Sequence, residues 1–223
     1  LSASSVASAS TVQSTLFVPS SSSSSSRIGK LSFKKDKYKS NTDLDRLSCY
    51  YTNATSLGCK ISELQLIAST SKPHIIAITE TWFTECSSVN ISGYNIYRRD
   101  RASHAGGVCI YVRNELDSCE VNDDVLTNSA VEQVWCAIRI CNEKILLGCI
   151  YIPNPYSENL AMFNSLSKVD RLMNKGTYTG LMLSGDFNQS STSWDNLGFP
   201  TTSKKSETCF TDFVRSSNLF QRC

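Results

Sequence analysis

The sequence predicts an α/β layered domain. Short apolar runs of strand length alternate along the chain with segments of helical periodicity, and few tight-hairpin signals separate them. The 223 residues suffice for one sizeable domain or two small ones.

Each element has its own signal. Leu47, Cys49 and Tyr51 mark a short, mildly apolar segment that ends at Asn53. Leu57, Ile61, Leu64 and Ile67 then recur at three- and four-residue spacing, one face of an amphipathic helix. After Pro73, Ile75-Ile76-Ala77-Ile78 reads as a fully buried strand running into Thr79-Glu80-Thr81-Trp82. A strand over 107–112 follows the Gly106-Gly107 pair. Another spans 134–140 with Val134, Cys136, Ile138 and Ile140 on one face, and a third, nearly all apolar, spans 145–152. Residues 157–174 read as a helix with Leu160, Phe163, Leu166, Val169 and Met173 on one side. Leu181-Met182-Leu183 is a short buried strand leading into Ser-Gly-Asp-Phe-Asn, and Phe210, Phe213 and Val214 indicate a last helix.

Residues 1–45 differ in composition. Ser20–Ser26 is a homopolymer, and a basic stretch follows (Arg27, Lys30, Lys34, Lys35, Lys37, Lys39). Such a segment buries too little apolar surface to offset the entropy of ordering, so a disordered Ser-rich and basic leader is expected, with the folded domain over 46–223. The start resembles an organellar transit peptide in its serines and lack of acids, but a disordered tail is the simpler reading. The basic stretch reads either as a nucleic-acid contact or nuclear address, or as a solvated linker.

Composition excludes several classes. The net charge of +2 argues for no strongly anionic partner, so any DNA contact must come from local patches. No apolar run is long enough to cross a bilayer, and no membrane partner is expected. The ten cysteines form no CxxC pair, and neither His74 nor His104 completes a zinc spacing. Cys109, Cys136, Cys141 and Cys149 sit in or beside apolar runs and read as small core hydrophobes, which implies a reduced, intracellular protein. The sequons at Asn53, Asn90 and Asn188 carry no weight for glycosylation in such a compartment.

Polar residues cluster where apolar strands end: Asn53, Glu80, Tyr151, and Asp186 with Asn188. Strand ends on a packed sheet are rigid, and ligand sites in layered α/β folds favour them. Glu and Asp are hard oxygen ligands suited to Mg²⁺ or Mn²⁺, Asn offers a carbonyl or an amide donor, and a Tyr hydroxyl can hold a phosphate oxygen. Together they point to metal-assisted phosphodiester hydrolysis.

The order Asn53…Glu80-Thr81-Trp82…Tyr151-x-Pro153-Asn154…Gly185-Asp186-Phe187-Asn188 resembles the endonuclease/exonuclease/phosphatase superfamily, which includes the apurinic/apyrimidinic endonucleases. The details NATSLGCKISEL, IIAITETWF, GYNIYRRDR followed by GGVCIYV, IYIPN and SGDFNQSSTSW resemble the endonuclease domain of LINE-type non-LTR retrotransposons. The resemblance implies a two-sheet α/β sandwich of the DNase I-like kind with the site at one end. By residue, it implies that Glu80 is the principal metal ligand and that Asn53 supports metal and water. Tyr151 would contact the phosphate, Asp186 would orient or deprotonate the attacking water, and Asn188 would hold the phosphate. It places Asn53, Asp186 and Asn188 with Glu80 around the cation. Asn154 would position the nucleic-acid backbone. Arg98, Arg99 and Arg101, beside Asp100, are either a DNA contact or surface ion pairs. Trp82, Trp135 and Trp194 read as packing residues, and Glu132 as either support for the site or a solvated charge.

One departure stands out. The family closes its site with a Ser-Asp-His strand near the domain's end, and none occurs here, so the expected domain is incomplete, with its last strands missing, an open sheet edge and impaired activity. The leading expectation is a DNA-nicking endonuclease of a non-LTR retrotransposon, acting in the nucleus beside a reverse-transcriptase domain of the same polyprotein. The alternatives are a phosphatase of the same fold acting on inositol phosphates or phospholipids, and an inactive fragment that at most binds nucleic acid.

Overall fold

The computed structural model describes residues 14–18, 47–101, 105–153, 160–188, 193–194, 200–202, 208–217 and 219–222. In chain order the strands are β1 (Ser14–Val18), β2 (Cys49–Asn53), β3 (Ile75–Thr79), β4 (Tyr94–Arg99), β5 (Val108–Arg113), β6 (Asp117–Glu120), β7 (Glu132–Ile140), β8 (Glu143–Tyr151), β9 (Gly180–Asp186), β10 (Ser193–Trp194), β11 (Pro200–Thr202) and β12 (Phe220–Arg222). The helices are α1 (Ile61–Thr70), α2 (Leu160–Asn174) and α3 (Thr208–Ser216), and a 3-10 turn over Gly58–Lys60 leads into α1.

Two sheets stack into a sandwich. One has the order β12-β1-β9-β8-β7-β6 and the other β2-β3-β5-β4, while β10 and β11 form a separate ribbon. The central strands β3, β5, β7, β8 and β9 are apolar on both faces because both faces are covered. Between the sheets, Ile75, Ala77, Val108, Ile110 and Val112 pack on Val134, Cys136, Ile138, Leu147, Cys149 and Met182. Outside the larger sheet, Trp135, Leu146, Ile150 and Leu183 meet Leu166 and Val169 of α2 and Phe210, Phe213 and Val214 of α3. Outside the smaller sheet, Ile76, Ile78, Cys109 and Tyr111 meet Leu64 and Ala68 of α1 and the loop residues Phe83, Val89 and Ile91. The buried Gln133 ties α2 to the sheet: its amide nitrogen donates to Ser165 Oγ (3.0 Å) and the Val125 carbonyl (3.3 Å), and its oxygen accepts from Trp135 Nε1 (3.0 Å).

Two parallel pairs set the position of the site. β2 lies parallel to β3 with Asn53 opposite Thr79, and β8 lies parallel to β9 with Tyr151 opposite Asp186. All four strands finish at the same end of the sandwich. His74 sits at the other end of β2 and β3, where its Nδ1 meets Ser48 Oγ at 2.8 Å.

Several expectations need correction. The leader contributes a strand: β1 pairs antiparallel with β9 (Ser14 opposite Gly185) and with β12, so the edge of β9 is covered. The rest of 1–46 lies outside the described residues. The helix expected over 157–174 is described from Leu160, and its buried face is Met162, Ser165, Leu166 and Val169. Leu160 and Phe163 are exposed because the stripe is rotated toward Ser165, which Gln133 holds. Cys141 is exposed in the β7–β8 turn with φ +52°, whereas Cys109, Cys136 and Cys149 are core. Cys49, Cys59, Cys86, Cys109, Cys119, Cys136, Cys141 and Cys149 are free thiols.

Gly185 marks the tightest approach in the larger sheet. A Cβ there would lie 2.1 Å from the Ile150 carbonyl oxygen, which is backbone and cannot step aside. Gly185→Ala should therefore cost at least about 2 kcal/mol in urea unfolding. Gly58→Ala, where an added Cβ meets nothing within 4 Å, should change stability by less than about 0.5 kcal/mol.

Candidate active site

Asn53 joins the two sheets at their common end. Its amide nitrogen donates to Glu80 Oε1 at 3.2 Å and to Asp186 Oδ2 at 2.9 Å. Its own oxygen accepts from the Thr55 backbone N–H (3.1 Å) and hydroxyl (3.2 Å), which fixes the orientation of the carboxamide. Two carboxylates from different sheets thus converge on one nitrogen.

The segment that presents Glu80 is held from both sides. Glu80 and Trp82 both have φ +53°, a left-handed conformation unusual for such residues. Each costs on the order of 1–3 kcal/mol unless surrounding bonds over-determine it. Here they do. The Glu80 and Thr81 carbonyls accept from Ser56 N–H and Leu57 N–H at 3.0 Å each. Thr81 N–H and Trp82 N–H donate to the Gly107 and Gly106 carbonyls at 3.2 and 2.9 Å. Gly106 and Gly107 themselves have φ +101° and +84°, and a Cβ on Gly107 would lie 2.7 Å from Thr81 Oγ1. Glu132, at the start of β7, accepts from Gly107 N–H (2.7 Å) and pairs with Arg101 (3.0 Å). The carboxylate that the sequence left open therefore supports the glycine pair, and through it the backbone of Glu80.

Asp186 is buried at the end of β9. Its second oxygen accepts from Asn188 N–H at 3.1 Å. Burial pushes its carboxyl above the ordinary range, the bonds from Asn53 and Asn188 oppose that, and the nearby Glu80 charge adds to it. The Tyr151 hydroxyl is pushed well up, first by burial, then by its hydrogen bond to Glu80 and by the charges of Glu80, Asp186 and Glu132. It stays protonated, with its hydrogen given to Glu80.

The structure thus brings Asn53, Glu80, Tyr151 and Asp186 together. Asn188 adjoins Asp186, but its amide nitrogen donates to the Ile152 carbonyl (2.7 Å), which ties the ends of β8 and β9. Asn53 turns its nitrogen, not its oxygen, toward the carboxylates, so it bridges them and is not placed as an oxygen ligand. Arg98 pairs with Asp100 (3.1 Å) and lies 5.8 Å from the centre of the Phe83 ring, and Arg101 is engaged by Glu132. Asn154 and His104 lie outside the described residues.

Sequence reasoning misplaced Trp82. It is 40% exposed, and its Nε1 donates to Glu80 Oε2 at 3.3 Å, whereas Trp135 is buried as expected. The side chain of Trp194 lies outside the described residues. The missed signal was alternation: Thr81 and Phe83 are buried, so Glu80 and Trp82 share the other side.

Residues 42–221 match the Endonuclease/Exonuclease/phosphatase family. The chain belongs to that family. Solved structures share its fold. The endonuclease domain of TRAS1, a telomere-specific non-LTR retrotransposon, superposes with a TM-score of 0.51 at 17% identity over 77% of this chain and 70% of that one. An AP endonuclease from Leishmania major gives 0.58 at 15% identity over 85% and 72%. A 3'-5' exonuclease from Neisseria meningitidis gives 0.54 at 15% over 76% and 71%. No curated protein matches the chain.

The donor set fits a divalent cation. Two hard carboxylates share one neutral donor, and burial penalises the charge of one of them, an arrangement that a cation relieves. Among the described residues no group of three or more His, Cys, Asp or Glu could hold an ion alone. Glu80 and Asp186 would hold it, with water and phosphate oxygens completing the shell.

Asn53→Asp should expose the balance. A third carboxylate in place of the bridging amide should destabilise the protein by about 2 kcal/mol in chelator. Adding Mn²⁺ should recover most of that loss, as read by urea denaturation with and without the ion.

Proposed function

We propose that this chain is a divalent-metal-dependent phosphodiesterase, the DNA-nicking endonuclease of a non-LTR retrotransposon. The observation that carries the reading is the Asn53 amide held between Glu80 and Asp186. A carboxylate pair gathered at the end of a two-sheet sandwich can share one cation and one phosphate. The order of motifs around it and the likeness in fold to the TRAS1 endonuclease domain support the retrotransposon assignment.

Asp186 accepts the proton of the attacking water. Asn53 and Asn188 N–H hold that carboxylate in one orientation. With phosphate bound, the protonated Tyr151 hydroxyl turns its hydrogen from Glu80 to a phosphate oxygen as negative charge builds there. Water oxygen bonds to phosphorus as the P–O bond to the leaving 3′ oxygen breaks, and that oxygen takes a proton from solvent, giving a 3′ hydroxyl and a 5′ phosphate. When bound, Mg²⁺ or Mn²⁺ polarises the phosphate and stabilises the leaving oxygen. The 3′ hydroxyl suits priming by a reverse-transcriptase domain of the same polyprotein, and the reading places the protein in the nucleus.

Nicking of supercoiled plasmid in Mg²⁺ or Mn²⁺ tests the proposal. Glu80→Ala and Asp186→Ala should each lower the rate by at least about 100-fold, and Tyr151→Phe by about 10-fold or more. Phosphate release from inositol phosphates with no nicking would transfer the site to a phosphatase reaction. Mg²⁺ at about 100 times its Kd should stabilise the native protein by about 2.7 kcal/mol. The same addition should leave the midpoint of Asp186→Ala nearly unmoved.

A further inference from the structure

Trp82 combines three features that packing does not explain. The residue is 40% exposed although its neighbours Thr81 and Phe83 are buried. Its backbone is locked at φ +53° by the Gly106 carbonyl, so the exposure is built in and is not looseness. Its Nε1 is fastened to Glu80 Oε2 at 3.3 Å, which holds the ring beside the carboxylate pair. An aromatic ring is wide, rigid and apolar, and its π face matches that of any base.

We propose that Trp82 is a stacking platform for an unstacked nucleobase of the nucleotide next to the scissile phosphate. The inference rests on the reading of the site as a nucleic-acid phosphodiesterase and adds a substrate contact to it. The indole N–H is spent on Glu80, so the contact available to substrate is the ring, which reads no hydrogen-bond pattern. Recognition here follows how readily a base leaves its stack, and not which base it is. One side chain therefore has two tasks: its edge orients Glu80 and its ring receives a base.

Fluorescence anisotropy on the full chain tests this. The probes are a short labelled single-stranded oligonucleotide and an abasic oligomer of the same length, in Ca²⁺ so that binding is read without cleavage. The wild type should bind the base-bearing probe more tightly. Trp82→Ala and Trp82→Leu should each weaken binding of that probe roughly tenfold and weaken the abasic probe no more than Trp82→Phe does, while Trp82→Phe keeps most of the affinity for the base-bearing probe. Leu retains apolar bulk without a ring, and unfolding midpoints set aside any variant that fails to fold. Equal binding of the base-bearing probe by wild type and Trp82→Leu, or an equal loss on both probes, overturns the stacking role while the phosphodiesterase reading stands. A wild type that binds neither probe overturns that reading and this inference with it.

Discussion

The site depends on one amide nitrogen held between two carboxylates that belong to different sheets. Hydrogen bonds to ionised groups contribute roughly 1.5–3 kcal/mol each. The pair at Asn53 therefore offsets much of the repulsion between Glu80 and Asp186. The bridge also couples chemistry to architecture. β2 and β9 meet only because the two sheets stack, and the core of Ile75, Ala77, Cys149 and Met182 keeps them stacked. A shift of the sheets would part the carboxylates before it opened the core.

Around that bridge the backbone is held in conformations it would not choose. Glu80, Trp82 and Asn188 all have positive φ, at 53°, 53° and 48°. The bonds from Gly106, Gly107, Ser56 and Leu57 offset the strain at Glu80 and Trp82, and Glu132 fixes the glycines in turn. Glu132 also stands opposite Tyr151 in the β7–β8 ladder. The carboxylate thus holds the backbone behind Glu80, the strand position pairs with Tyr151, and Arg101 compensates the charge.

Much of the fold was legible because its central strands are continuous apolar runs with both faces covered, as in Ile75–Ile78 and Ile145–Ile150. The site was legible for a related reason: Glu80, Tyr151 and Asp186 are polar residues that interrupt or end such runs. What stayed hidden lacked that contrast. β4 (Tyr94–Arg99) and β6 (Asp117–Glu120) are outer strands of partly exposed, polar composition and carry no run. The face of α2 was misjudged because Ser165 is buried through a partner, Gln133, that its own sequence neighbourhood does not reveal. Trp82 was read as core because large aromatics usually are, and only its bond to Glu80 shows otherwise. The direction of the Asn53 carboxamide follows from Thr55 holding its oxygen, a tertiary detail beyond spacing.

The strand Ser14–Val18 sets the order in which the chain can fold. It lies directly against β9, far along the chain, and the whole smaller sheet, complete by Arg113, comes between them. During synthesis β1 must wait, unpaired, until β9 has been made, and closing so distant a contact is slow. The smaller sheet can form before β9 exists, so the part of the candidate site that Asp186 supplies is completed after the part that Asn53 and Glu80 supply.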